Sequence, residues 1–334
     1  MTKRLSILIT ALLLVSTAST GLTKVQAADW PTWRGADRTD VSTEKGLLQS
    51  WPQGGPKQLW TFKNAGSGYS GFAIANGTLY TLGTRNGKEI LIALDALTGK
   101  DKGVVVVGDI LSNSWGNGPR GTPTVAGGIV YAMGGGGSLV AADAKTGVIK
   151  WKVSMSDFGG KRPGWGYCES VTVEGDQVIC TPGGSQGSML ALRVKDGSKI
   201  WQSSGITDGA QYASILPIEH NGMRQYVQLT QQHVFGVDAT SGKVAWQSPW
   251  EGRTAVVPTP IHKDGHVYIS SGYGVGCKLV KLGNGSATEV YRNQVMKNHH
   301  GGVLLVGDYL YGYSDGPGWI CQNFKSGEMV WNSK

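Results

Sequence analysis

A short phrase ending in glycine recurs along this chain, and in four copies a tryptophan follows four residues later. Lys145-Thr146-Gly147 leads to Trp151, Lys195-Asp196-Gly197 to Trp201, Thr240-Ser241-Gly242 to Trp246, and Lys325-Ser326-Gly327 to Trp331. Another copy, Asp95-Ala96-Leu97-Thr98-Gly99, lacks the tryptophan, and Trp60 ends a similar segment, Gln58-Leu59-Trp60, with no phrase before it. Self-similarity at a fixed period constrains a fold more than local propensity does, because each unit must bury its face against the next.

The residue four before each glycine is Asp95, Asp143, Arg193, Asp238 or Asn323, at steps of 48, 50, 45 and 85 residues. The last step is twice about 42, which places a degenerate copy around Leu279 to Gly285. Within one unit, strands are predicted over Thr122 to Val125, Ile129 to Met133, Ser138 to Asp143 and Val148 to Val153, separated by glycine-rich turns. Four strands per unit of this length is the arithmetic of a β-propeller blade, so the fold class is all-β, a propeller of four-stranded blades. Six units are traceable, beginning near Tyr69, Gly118, Trp165, Ala213, Thr254 and His299. Almost no helix is expected after residue 28. A β-solenoid needs shorter repeats, and a sandwich needs no periodic tryptophan. Trp60 reads as an outer strand donated to close a blade that lacks its own, and since none follows Lys334 the sequence is expected to be C-terminally incomplete.

Residues 1–27 read as a signal peptide: Lys3 and Arg4, an apolar run from Leu5 to Val15, then Val25-Gln26-Ala27. The run is too short to span a bilayer, and no cysteine near the cleavage point suggests lipidation, so residues 28–334 are expected to be exported as a soluble propeller domain, periplasmic or secreted. The net charge of +8 falls to +5 without Lys3, Arg4 and Lys24, and the remaining basic residues are scattered, which argues against nucleic acid. Cys168, Cys180, Cys277 and Cys321 contain no Cys-x-x-Cys pair and are read as buried thiols. Asn76-Gly77-Thr78 and Asn284-Gly285-Ser286 are explained by hairpin turns without invoking glycosylation.

The phrase from Ala141 to Trp151 resembles the repeat of PQQ-like, quinoprotein dehydrogenase-like propellers. Asp29-Trp30-Pro31-Thr32-Trp33-Arg34-Gly35, Val295 to Gly302 and Gly307 to Asp315 resemble segments of exported bacterial members, such as those of planctomycetes. The resemblance implies an eight-bladed ring, with about two blades beyond this sequence, and repeat tryptophans that pack between blades. It implies two functions. Quinone-dependent alcohol dehydrogenases of this fold bind PQQ near the axis, usually with calcium, a catalytic Asp and often a disulfide between adjacent cysteines. The outer-membrane assembly propeller has no enzymatic role. This sequence has no adjacent cysteine pair and no paired carboxylates at metal-ligand spacing.

The residues themselves favour a binding or scaffold module for a protein, peptide or glycan, with no catalytic residue, no metal site and no evident cofactor. Trp60, Trp151, Trp201, Trp246 and Trp331 are assigned to structure. Arg193, in place of the acid, and Gly103, in place of the tryptophan, predict less regular blades. Candidate ligand-binding residues precede the first strands of several units: Trp115, Asn117, Arg120, Trp165, Tyr167, Glu169, Tyr212, His299 and His300. Innermost strands line a propeller axis, so such positions converge. His299 and His300 are expected to face opposite sides if they lie on a strand.

Overall fold

The computed structural model describes residues 28–334; the signal-peptide reading falls on residues 1–27, outside the described residues. Twenty-four strands form six four-stranded antiparallel sheets, each a blade. Blade 1 holds β1 (Phe72–Ala75), β2 (Thr78–Arg85), β3 (Lys88–Asp95) and β4 (Asp101–Asp109). Blade 2 holds β5 (Thr124–Ala126), β6 (Ile129–Met133), β7 (Ser138–Asp143) and β8 (Ile149–Ser154). Blade 3 begins with β9 (Thr172–Glu174), blade 4 with β13 (Leu216–His220), blade 5 with β17 (Ile261–Lys263) and blade 6 with β21 (Leu304–Val306). The first strands line up side by side, β1 beside β5 and β5 beside β9. Among the described residues the only helix is one 3₁₀ turn, Met155–Phe158.

The recurring phrase is the turn between the third and fourth strands. Asp143 Oδ1 accepts from the Thr146 N–H and hydroxyl at 2.9 Å each, and Gly147 N donates to Asp143 O at 2.8 Å. Gly147 takes φ 69°, where a side chain is disfavoured. Asp95 and Asp238 repeat these bonds to Thr98 and Ser241. Arg193 has no such side chain, and Asp196 serves instead, accepting from the Ser198 N–H and hydroxyl at 3.0 and 2.6 Å. The third and fourth strands of every blade also share one register shift at an equivalent place, such as Ala141/Ala142.

The tryptophans clamp one blade to the next. The Trp151 ring lies on Gly197 of blade 3, and its Nε1 donates to Val194 O at 2.8 Å. Trp201 repeats this on Gly242 and Ala239 O at 3.0 Å. Tyr291 opposes Leu279 as Trp151 opposes Ala141, so it is the missing aromatic of the degenerate unit; it covers Gly327 and donates to Phe324 O at 2.9 Å. Trp246 differs. Blade 5 turns through the short Gly283–Ser286 hairpin, and Trp246 Nε1 donates instead to Gln225 Oε1 of its own blade at 2.7 Å. Gly103 does stand at the aromatic position, opposite Ala93, and Tyr80 replaces the lost bond by donating to Ala144 O at 3.0 Å.

Trp60 is not in a strand. Its ring covers Gly99 and its Nε1 donates to Ala96 O at 3.2 Å, while Phe62 and Ala65 pack with it on Ile90, Ile92 and Leu94. It thus meets blade 1 as Trp151 meets blade 3. Blade 6 completes its own sheet with β24 (Met329–Ser333) and receives no strand from the N-terminal segment. Core clusters fill each interface between consecutive blades, as where Trp151, Met155 and Leu139 of the second meet Val178, Leu190 and Leu192 of the third. All four cysteines are buried free thiols.

Candidate binding site on the propeller axis

Two residues before its first strand, each of blades 2 to 5 carries a hydroxyl: Thr122, Ser170, Ser214 and Thr259. Thr122 N donates to Ser170 Oγ at 2.9 Å, and Ser170 N donates to Ser214 Oγ at 3.0 Å. These residues form a collar around one end of the axis. Above it opens a cavity of about 510 Å³.

Aromatic side chains wall this cavity. Trp165 and Tyr212 stack at 5.5 Å with 30° between planes on one side. On another, Arg120 sits 5.4 Å above the Tyr69 ring, next to Trp115. Tyr273 and His300 also line it, as does Trp33, whose Nε1 donates to Thr259 Oγ1 at 3.2 Å.

Five of the nine candidates from sequence line this cavity: Trp115, Arg120, Trp165, Tyr212 and His300. Arg120 also donates to Gly118 O at 2.6 Å and Gly116 O at 2.8 Å, so part of its capacity holds the loop. Asn117 does not line the cavity; its Oδ1 accepts from Asn113 N at 2.9 Å. Asn113 Oδ1 accepts in turn from Trp115 N at 2.9 Å. These bonds order the loop that holds Trp115 at the rim, 71% exposed. Tyr167 lies in the core between blades 2 and 3, and its hydroxyl donates to Pro182 O at 3.0 Å. Glu169 is buried beneath the wall, accepting from Thr181 N at 2.7 Å and bonded to the Thr181 hydroxyl at 3.2 Å.

His299 and His300 are not on a strand. They occupy the bend before β21, and their rings stack at 4.4 Å and 14°. The alternation expected of a strand therefore does not apply, and both rings lie on one side. His299 packs against Tyr273 at 4.1 Å and sets Nδ1 3.6 Å from Asp315 Oδ2. Burial, and then His299, hold His300 below the ordinary histidine value. Burial pushes Tyr212 and Cys168 up to about 12, so neither ionises near neutral pH.

Sequence reasoning missed Trp33, Tyr69, Tyr273 and the collar hydroxyls. Only the collar has a sequence signal, a Ser or Thr two residues ahead of the first strand in blades 2 to 5.

The model of the family described as outer membrane protein assembly factor BamB matches residues 108–333, more than half of the chain. The chain belongs to that family. Solved structures agree on the fold. BamB from Moraxella catarrhalis is 16% identical with a TM-score of 0.54, covering 79% of this chain and 75% of that one. A europium-containing methanol dehydrogenase is 14% identical with a TM-score of 0.56, covering 79% and 68%. A quinohemoprotein alcohol dehydrogenase from Pseudomonas putida HK5 is 13% identical with a TM-score of 0.54, covering 81% and 67%. No curated protein matches the sequence.

The resemblance noted in the sequence makes PQQ with calcium the cofactor to test against the cavity. No Asp or Glu is among its lining residues, so a hard cation meets no anionic oxygen there. Among the described residues, no group of three or more His, Cys, Asp or Glu is placed to hold a metal. The donor set does not fit the calcium ion of that pair. No helix among the described residues is long and apolar enough to cross a membrane.

Proposed function

We propose that this protein is an exported binding propeller that holds a ligand, or the protruding part of a protein, peptide or glycan, in the axial cavity without catalysing a reaction. One observation carries the reading: an aromatic cavity at the collar, with Trp115 held exposed at its rim and no carboxylate in its wall. Rigid aromatic rings beside an arginine supply contact area at little entropic cost, which is what binding uses. Proton transfer needs a titratable group within reach of the reacting atom. The buried acid nearest this wall, Glu169, is bonded to Thr181 instead. The reading of residues 1–27 as an export signal supports the location.

Tryptophan fluorescence tests the proposal, with aromatic carboxylates, oligosaccharides and unstructured peptides titrated onto the purified protein. The expected outcome is saturable quenching by one class, lost in Trp165→Ala. Dye-linked alcohol oxidation that depends on added PQQ and calcium would overturn it.

A further inference from the structure

We propose that residues 29–40 are an axial peg, an intramolecular ligand that touches all six blades and locks the ring. Trp30 and Ile74 exchange both main-chain hydrogen bonds at 2.8 Å, which ties the segment to blade 1. Pro31 O accepts from Val125 N at 2.8 Å, and Thr32 Oγ1 meets Thr124 Oγ1 at 2.9 Å, on blade 2. Arg38 donates through Nη2 to Val171 O at 3.0 Å and through Nη1 to Ile215 O at 3.2 Å, bridging blades 3 and 4. Trp33 reaches Thr259 of blade 5, and Arg34 Nη2 donates to Val303 O of blade 6 at 2.9 Å.

The three carbonyls taken by arginine are equivalent. Each belongs to the residue just before the first strand of its blade. A propeller axis presents such groups in a ring, and buried carbonyls need partners. A guanidinium with five donors in a planar fork can bridge two blades, as Arg38 does. Both arginines are buried, at 3% and 7% exposure, and both hold positive φ, 67° and 54°. A left-handed backbone at a non-glycine residue persists only where the surroundings fix it. Asp40, 3.2 Å from Arg34 Nε, offsets one of the two buried charges. The peg also lines the axial cavity through Trp33.

The full-length chain tests this. A site-specific protease sequence is placed in the exposed stretch 45–50, the purified protein is cut there, and gel filtration reports where the N-terminal fragment goes. The fragment is expected to remain with the ring in native buffer. In Arg34→Ala/Arg38→Ala protein, retention should fall about tenfold or more, since buried charge-assisted hydrogen bonds are lost. A wild-type fragment that leaves as readily as that of the double variant overturns the proposal. Thr259→Val removes only the Trp33 bond and keeps the test readable if the double variant does not accumulate. Its fragment must leave faster than the wild-type one, and equal retention overturns the peg's hold on blade 5.

Discussion

Burial drives Glu169 against its ordinary chemistry. With 2% of its surface exposed, its carboxyl is pushed up to about 8, by desolvation first, with the Thr181 bonds and the Arg38 charge opposing the rise. The native state thus keeps a proton that the unfolded chain, near its ordinary value of 4.5, gives up. Stability from this group is full below the unfolded value and is lost as pH rises toward the folded one. The slope across that window is up to about 1.4 kcal/mol per pH unit. Glu169→Gln keeps an acceptor for Thr181 N and carries no titration. Urea unfolding from pH 5 to pH 8 should therefore show wild type losing stability relative to the variant, which gains most at pH 8. Parallel curves would place the ionisation elsewhere. Glu169 was legible as an isolated acid before a first strand. Its outcome was not, because Thr181 and Arg38 reach it only through the fold.

The blade-to-blade clamp is where the sequence spoke most clearly. The Asp, Thr and Gly of the turn act locally, so their bonds follow from adjacent residues. The ring on the next blade's glycine needs only the period. Tyr291 escaped notice because the short hairpin of blade 5 erases the phrase ahead of it. Tyr80 escaped because it stands in for an aromatic from a different strand. Tyr80→Phe should remove the bond that ties β2 to Ala144 O while keeping the ring, at a cost of about 1 kcal/mol. A drop in urea midpoint with unchanged slope is the expected result. No change would mean that water satisfies Ala144 equally well.

The same residue type takes different values around the ring, because a blade's worth depends on what lies beside it. The peg contacts could not be read from sequence for this reason: the partners of residues 29–40 sit in different blades, and only the arrangement of the blades about a common axis brings them together. Trp151 and Trp331 occupy equivalent positions, opposite Ala141 and Cys321. Trp151 is 7% exposed, clamped on blade 3, whereas Trp331 is 46% exposed on the outer face of blade 6, near Tyr313 and Trp319 at 52% and 56%. Trp151→Ala leaves a cavity between two sheets and a Val194 carbonyl without its donor. It should cost about 3 kcal/mol or more. Trp331→Ala removes a ring that water already reaches, and should cost about 1 kcal/mol or less. Equilibrium unfolding of the two variants side by side compares them on one scale. Equal losses would show that the outer face of blade 6 is covered in solution, for instance by a second copy of the chain. Such a loss would grow with protein concentration, because association adds to apparent stability by mass action.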